Sequence, residues 1–359
     1  MRTIAISTTV CAALALVACG GDKKQPDAAV AKAGDNAKAG DKAKAGDKTK
    51  AADKAKAADT AKAADTASES PKTNTTDVAI EPIRMNSDEL KWKGPVGSLP
   101  PGAQISVIEG TPPFAEGQSF MFRLKFPANY TIPPHWHPVT ERVTVISGRL
   151  LFATGEKIDR EAVAKLGPGG QVLIPAKHPH YAMTEEETVV QLQGVGPWGI
   201  VYLDPKDDPR QPPPPPVTVT GTSTDMPIEP FHTDGAELAW KGPVKSLPPG
   251  AEISVLEGTP PFPAGQSFVF RLKFPDGYKI PPHWHLVTER VTVISGNLLF
   301  GMGDTWDEKT MKTLEPNGVV LIPKEHRHFA MAKGETVVQL QGVGPWGIVY
   351  VNPEDDPRK

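Results

Sequence analysis

From Ile80 onward the chain alternates between apolar and polar positions. Phe120, Phe122, Leu124 and Phe126 fall on one parity and Met121, Arg123 and Lys125 on the other, the period of two expected of a β-strand. Val143 and Val145 alternate with Thr144 and Ile146, and residues 172–174, 188–193 and 200–203 predict further short strands. Gly148, the run Gly167-Pro168-Gly169-Gly170 and Gly194 through Pro197 supply the turns between them. Residues 156–166 and 307–314 carry no clear period and read as loop. Many short strands without a long amphipathic helix predict an all-β sandwich or barrel. The pattern occurs twice at a constant offset of 148: Trp92 answers Trp240, His135 answers His283, and residues 187–202 are identical to 335–350.

Upstream the alternation is absent. Residues 31–66 repeat a hexad, from AKAGDN to AKAADT, with no Leu, Ile, Phe or Trp to drive it into a core. A flexible chain over 20–77 has a reach of about 40–45 Å, which makes it a solvated tether. Before it, Met1-Arg2 and the small apolar run 12–18 lead into Leu16-Val17-Ala18-Cys19-Gly20. This resembles a bacterial lipoprotein signal, which implies cleavage before Cys19 and acylation of that cysteine. The apolar run is too short to span a bilayer. Gly20, rather than Asp, resembles lipoproteins sent to the outer membrane, and implies an envelope location facing the periplasm or the cell surface. Between the repeats, residues 212–216 are five prolines, a stiff polyproline II spacer. The expected order is signal peptide 1–18, lipidated Cys19 and disordered tether 19–77, domain 78–206, Pro-rich linker 207–226 and domain 227–359. The two domains are expected to pack together, which would cover strand edges.

A net charge of −3 with no basic stripe argues against nucleic acid as a partner. Both cysteines lie in the first 19 residues, so no disulfide is expected in the β region. The candidate chemistry sits in PPHWHPVTERVTVISG at 133–148 and PPHWHLVTERVTVISG at 281–296. Of nine histidines only His232 lies outside the clusters formed here and at His178/His180 and His326/His328. On a strand, His135 and His137 point the same way, a bend brings Glu141 round, and His180 arrives from another strand. The second copy offers His283, His285, Glu289 and His328. Three imidazoles and a carboxylate suit a divalent transition metal, Fe, Mn, Zn, Ni, Co or Cu, with positions left open for a small-molecule ligand.

His-x-His, three residues, Glu, six residues, Gly resembles the first motif of the cupins. Gly277 precedes the second copy at the family spacing, and Asn129 replaces it in the first. The second motif is similar in Gly169, Pro175 and His180, and in Asn317, Pro323 and His328. Both copies depart from it at a turn glycine, having Lys177 and Glu325, and at a late asparagine, having Thr184 and Ala332. The resemblance spans about 125 residues in each half. It implies two jelly-roll barrels, a bicupin, with one metal in each.

Other residues leave alternatives open. Gln191, Gln193, Gln339 and Gln341 either point into the barrel to meet a substrate or form a polar outer face. Arg123 and Arg271 point inward and hold a carboxylate only if the phenylalanines pack outside. Trp198 and Trp346, in GPWG turns, read first as packing, with pocket lining as the alternative. His178 and His326 read equally as site-rim or turn residues. Two functions follow: a metal-dependent oxidoreductase, dioxygenase- or decarboxylase-like, on a small organic molecule, or a non-catalytic module that binds or senses a small ligand or a metal.

Overall fold

The computed structural model describes residues 81–221, 228–236 and 238–359. The expected signal peptide, Cys19 and tether lie outside these residues, as does part of the expected linker. In the first half, antiparallel strands form two sheets. One runs Phe231–Thr233, Gln171–Ile174, Glu141–Ser147, Thr188–Val195, Ser119–Phe126, Gln104–Glu109 in hydrogen-bonded order. The other runs Val201–Tyr202, Thr131–Trp136, His180–Thr184, Leu150–Thr154, Ala164–Leu166. The second half repeats the arrangement with strands that fuse. Glu289–Met302 corresponds to Glu141–Ser147 plus Leu150–Thr154, so the two layers join into one nine-stranded sheet. The result is an all-β jelly roll in each half. Of the two segments read as loop, each carries a three-residue strand, Ala164–Leu166 and Lys312–Leu314.

Each half has its own apolar core. Phe120, Phe122, Phe126, Val143, Val145 and Leu192 pack together in the first, and Phe268, Phe270, Phe274, Val291, Val293 and Leu340 in the second. The phenylalanine parity therefore faces into the barrel. The opposite parity is buried too: Met121 and Arg123 are 0% exposed, because this face of the sheet lies against the other half.

That placement decides the arginines. Arg123 donates to Gln191 Oε1 at 3.2 and 3.0 Å, to the Asn317 carbonyl at 2.6 Å and to Ser87 Oγ at 3.0 Å. Arg271 donates to Gln339 Oε1 and, at 2.6 Å, to the Gly169 carbonyl. Gln191 Nε2 donates to Thr292 Oγ1, and Gln339 Nε2 to Thr144 Oγ1, each at 2.8 Å. Burial pushes both guanidiniums down to about 10, which leaves them charged at neutral pH. Arg142 with Glu257, and Arg290 with Glu109, add two reciprocal ion pairs. Apart from the Ser87 contact, whose counterpart position is Gly235, these contacts obey the 148-residue offset, as an isologous interface does about a pseudo-two-fold axis.

The halves also exchange strands. Ile83–Met85, from the segment 78–206, pairs with Val319–Leu321 of the second half. Phe231–Thr233, from 227–359, pairs with Gln171–Leu173 of the first. Each segment thus completes a sheet in the other.

The departures from the cupin pattern keep the turn they replace. Asn129 and Asn317 have φ of 58° and 72°, beside 72° for Gly277 and 82° for Gly169. Asn tolerates this left-handed region. Lys177 and Glu325 occupy it as well, at 62° and 61°. Each is held there by its own N–H, which donates to the carbonyl of His137 at 2.8 Å or of His285 at 2.9 Å.

Candidate metal centre

The strand Thr131–Trp136 carries His135 and delivers His137 one residue past its end; Glu141 begins the next strand and His180 begins a third. His135 pairs directly across from His180. One nitrogen each from His135, His137 and His180 lies within 4.8 Å of the others, as does one each from His283, His285 and His328. Glu141 joins the first cluster, with Oε2 3.0 Å from His180 Nε2 and Oε1 3.5 Å from His137 Nε2. Glu289 joins the second at 3.1 and 3.5 Å. All eight side chains are buried.

The other ring nitrogens fix the chemistry. His135 Nδ1 lies 2.7 Å from the Pro133 carbonyl, His137 Nδ1 2.6 Å from that of Gly199, and His180 Nδ1 2.9 Å from that of His178. The same three bonds recur in the second half with Pro281, Gly347 and His326. A carbonyl only accepts, so each Nδ1 carries the proton, and in the neutral ring Nε2 presents a bare lone pair. Burial, more than the neighbouring histidines, holds His135 and His283 well below the usual histidine range. Burial pushes His137 down to about 4. At neutral pH these imidazoles are therefore uncharged. Burial alone would raise the carboxyl of Glu141, but His137 and His180 outweigh it and hold it below its ordinary value.

Three ring nitrogens and a carboxylate thus converge on one buried point in each half. Although His180 Nε2 approaches Glu141 Oε2 to 3.0 Å, neither atom, nor His137 Nε2, makes a hydrogen bond of acceptable geometry, and the same holds for their counterparts in the second half. Buried polar atoms are rarely left so. A divalent first-row cation satisfies all of them at once, and Nδ1–H to carbonyl is the usual outer support of a metal-bound histidine. The residues present fit such an ion.

The cavity beside the cluster is about 280 Å³ in each half. Trp198 lines it, its ring stacked on His137 at 4.2 Å and 13°; Trp346 does the same on His285 at 4.2 Å and 16°. Both readings of these tryptophans hold: they pack against the apolar cores and line the cavities. Arg123, Gln191, Gln193 and their repeats Arg271, Gln339 and Gln341 do not line either cavity. This corrects their assignment to substrate: they share the parity that faces the other half. Gln193 and Gln341 border a small space of about 40 Å³ between the halves, and none of their amide atoms has a partner there. A polar space of that size accommodates water. His178 and His326 act through the backbone, as acceptors for the histidine two residues on. Sequence reasoning missed Arg210 and Arg358 at the cavity edge, and Phe114 and Phe262 in its wall. The repeated Asp-Asp-Pro-Arg at 207–210 and 355–358 was the available signal for the arginines.

The Cupin domain family matches residues 122–192. No curated protein matches the chain. Among solved structures, a candidate dioxygenase from Nostoc punctiforme shares the fold with a TM-score of 0.53 and 12% identity, over 76% of this chain and 87% of that one. Oxalate decarboxylase from Lactobacillus farciminis, as a formate complex, aligns with a TM-score of 0.48 and 13% identity over 77% and 90%. Procruciferin, an 11S globulin from Brassica napus, aligns with 0.44 and 12% over 74% and 86%. The chain has two cupin-like halves, each with a histidine triad.

Proposed function

We propose that this is a lipid-anchored envelope protein of bicupin type that binds one divalent transition metal in each barrel and acts on a small organic molecule as a metal-dependent oxidoreductase. The observation that carries it is the convergence of three Nε2 atoms and a carboxylate in each half, with every Nδ1 at hydrogen-bond distance from a backbone carbonyl. A bound ion would supply Lewis acidity and, if redox-active, electron transfer. The chain's own residues do the rest. The carbonyls of Pro133, Gly199 and His178 orient the rings, the apolar wall excludes water, and Glu141 is the one cavity carboxylate able to shift or to hold a proton. Metal analysis of the purified full chain, kept free of chelators, tests the premise: about two ions per chain is expected, and less than about a tenth of an ion sinks it. Oxygen-consumption and product screens on the loaded chain then test the chemistry.

One observation favours the non-catalytic alternative. Apart from the ligand set, Arg210 is the only ionisable residue among the described residues that line the first cavity, and it is tied to Asp208. Among the described residues no independent general acid or base stands there. Ligand binding without turnover under Fe(II) or Mn(II) would select a binding or sensing role. The anchor at Cys19 rests on the sequence Leu16-Val17-Ala18-Cys19.

A further inference from the structure

We infer that both cavities take the same class of ligand: a compact apolar molecule, about one ring in size, with a single oxygen head group bearing at most one negative charge. The head group rests on the metal reading above; the apolar body rests on the cavity walls alone.

The walls are the first argument. Each cavity is about 280 Å³, roughly twice the size of an apolar protein cavity that admits benzene. Beyond the ligand set the first is lined chiefly by side chains such as Leu99, Phe114, Phe122, Leu124, Ile132 and Trp198. Each of its lining residues has the identical residue 148 positions on in the second cavity. Nearby positions outside the lining do change: Met121 becomes Val269, Ala115 becomes Pro263 and Pro138 becomes Leu286. The two cavities therefore offer one chemistry twice.

Charge is the second argument. Arg210 grips Asp208 through Nε at 2.8 Å and Nη2 at 2.7 Å, and Nη2 also donates to the Ile200 carbonyl at 3.0 Å. Arg358 repeats this with Asp356 and Ile348. Both guanidiniums are neutralised locally. A divalent ion facing one carboxylate ligand leaves a charge that one anionic group balances. A second carboxylate on the ligand would lie against apolar wall, where an unpaired charge is strongly disfavoured.

The third argument is Phe114, with φ of 51°, and Phe262, with 53°. Bulky side chains rarely occupy this left-handed region, and such strain persists only where surrounding contacts enforce it. Phe114 stacks on Phe122 at 5.2 Å and 10°, and its carbonyl accepts the backbone N–H of Trp198 at 3.1 Å. The strained residue thus seats the tryptophan that covers His137, building an aromatic wall beside the metal ligands. Phe114 and Trp198 would set specificity for the ligand's body.

The test is titration of the full chain, read by calorimetry and tryptophan fluorescence. With Zn(II)-loaded chain, benzoate should fill two equivalent sites at least about ten-fold more tightly than oxalate or acetate. Oxalate binding as tightly as benzoate, or acetate equalling it, would overturn the proposal. Trp198→Ala should leave one tight benzoate site per chain; the intact second site reports that the variant is folded. Two undiminished sites in that variant would also count against it. Phenol added to metal-free chain separates the two readings. Phenol binding by a chain that takes up no Zn(II) would keep the apolar body and reject the metal centre. Failure of phenol to bind, with Zn(II) bound normally, would reject the ligand class and keep the centre.

Discussion

Arg142 and Glu257, from opposite halves, share two hydrogen bonds of 2.6 Å. The residue before Arg142 is Glu141, whose side chain faces the histidines from the other side of the same strand. One strand therefore carries a metal-ligand candidate on its inner face and an interface ion pair on its outer face. Arg290 and Glu109 repeat the pair at 2.7 and 2.5 Å. Arg142→Ala leaves Glu257 buried, at 4% exposed, without its cation. The expected loss is about 3–5 kcal/mol, read as a lower denaturation midpoint in urea. Arg142→Met combined with Glu257→Met should recover most of it, because no lone charge remains. An unchanged midpoint in the single variant would show that the pair contributes nothing.

Stability of the metal-free chain should fall as pH drops from about 6.5 toward 4. His137 has a folded value of about 4 against an ordinary 6.5. Between these the unfolded chain takes up a proton that the folded chain refuses, so each pH unit downward costs about 1.4 kcal/mol for this group. The total for His137 is roughly 3 kcal/mol, complete near pH 4. His135 and His283 are displaced in the same direction and add to the loss. Excess Zn(II) should oppose it by holding the rings unprotonated. Thermal denaturation from pH 7 to pH 4.5, with chelator and with Zn(II), measures both effects. A metal-free midpoint independent of pH would contradict the sign.

Much of this was legible in the sequence. Short strands were readable from Phe120 to Phe126 because sheet parity is a local property. The eight residues at the two centres were readable because motif spacing fixes them. What parity cannot say is what covers each face. Arg123 and Gln191 alternate with Phe122 and Leu192, and only the second half's presence shows that the polar parity is interface rather than barrel interior. The exchange of Ile83–Met85 for Phe231–Thr233 is likewise invisible, since either half could have kept its own strand. That Trp198 lines the cavity as well as packing could not be read locally, because its contact with His137 joins residues some sixty positions apart.

His137→Ala removes one donor from the first centre and the ring on which Trp198 stacks. Metal content should drop from about two ions per chain to about one, and His137→Ala with His285→Ala should leave almost none. Elemental analysis after dialysis checks both. Circular dichroism that retains its β-sheet signal separates ligand loss from unfolding. Two ions retained in the double variant would move the metal away from these histidines.

The sequence Leu16-Val17-Ala18-Cys19 makes a separate prediction about location. If Cys19 carries lipid, then Cys19→Ser abolishes acylation, and the chain leaves the membrane fraction. The dependence should be steep, because each acyl CH₂ buried in the bilayer contributes about 0.8 kcal/mol and a serine offers no thiol to modify. Expression of both forms in a bacterial host, with fractionation and metabolic labelling by a fatty-acid analogue, decides it. Label and membrane association that survive the substitution would place the anchor elsewhere. Loss of both would assign the attachment point to Cys19.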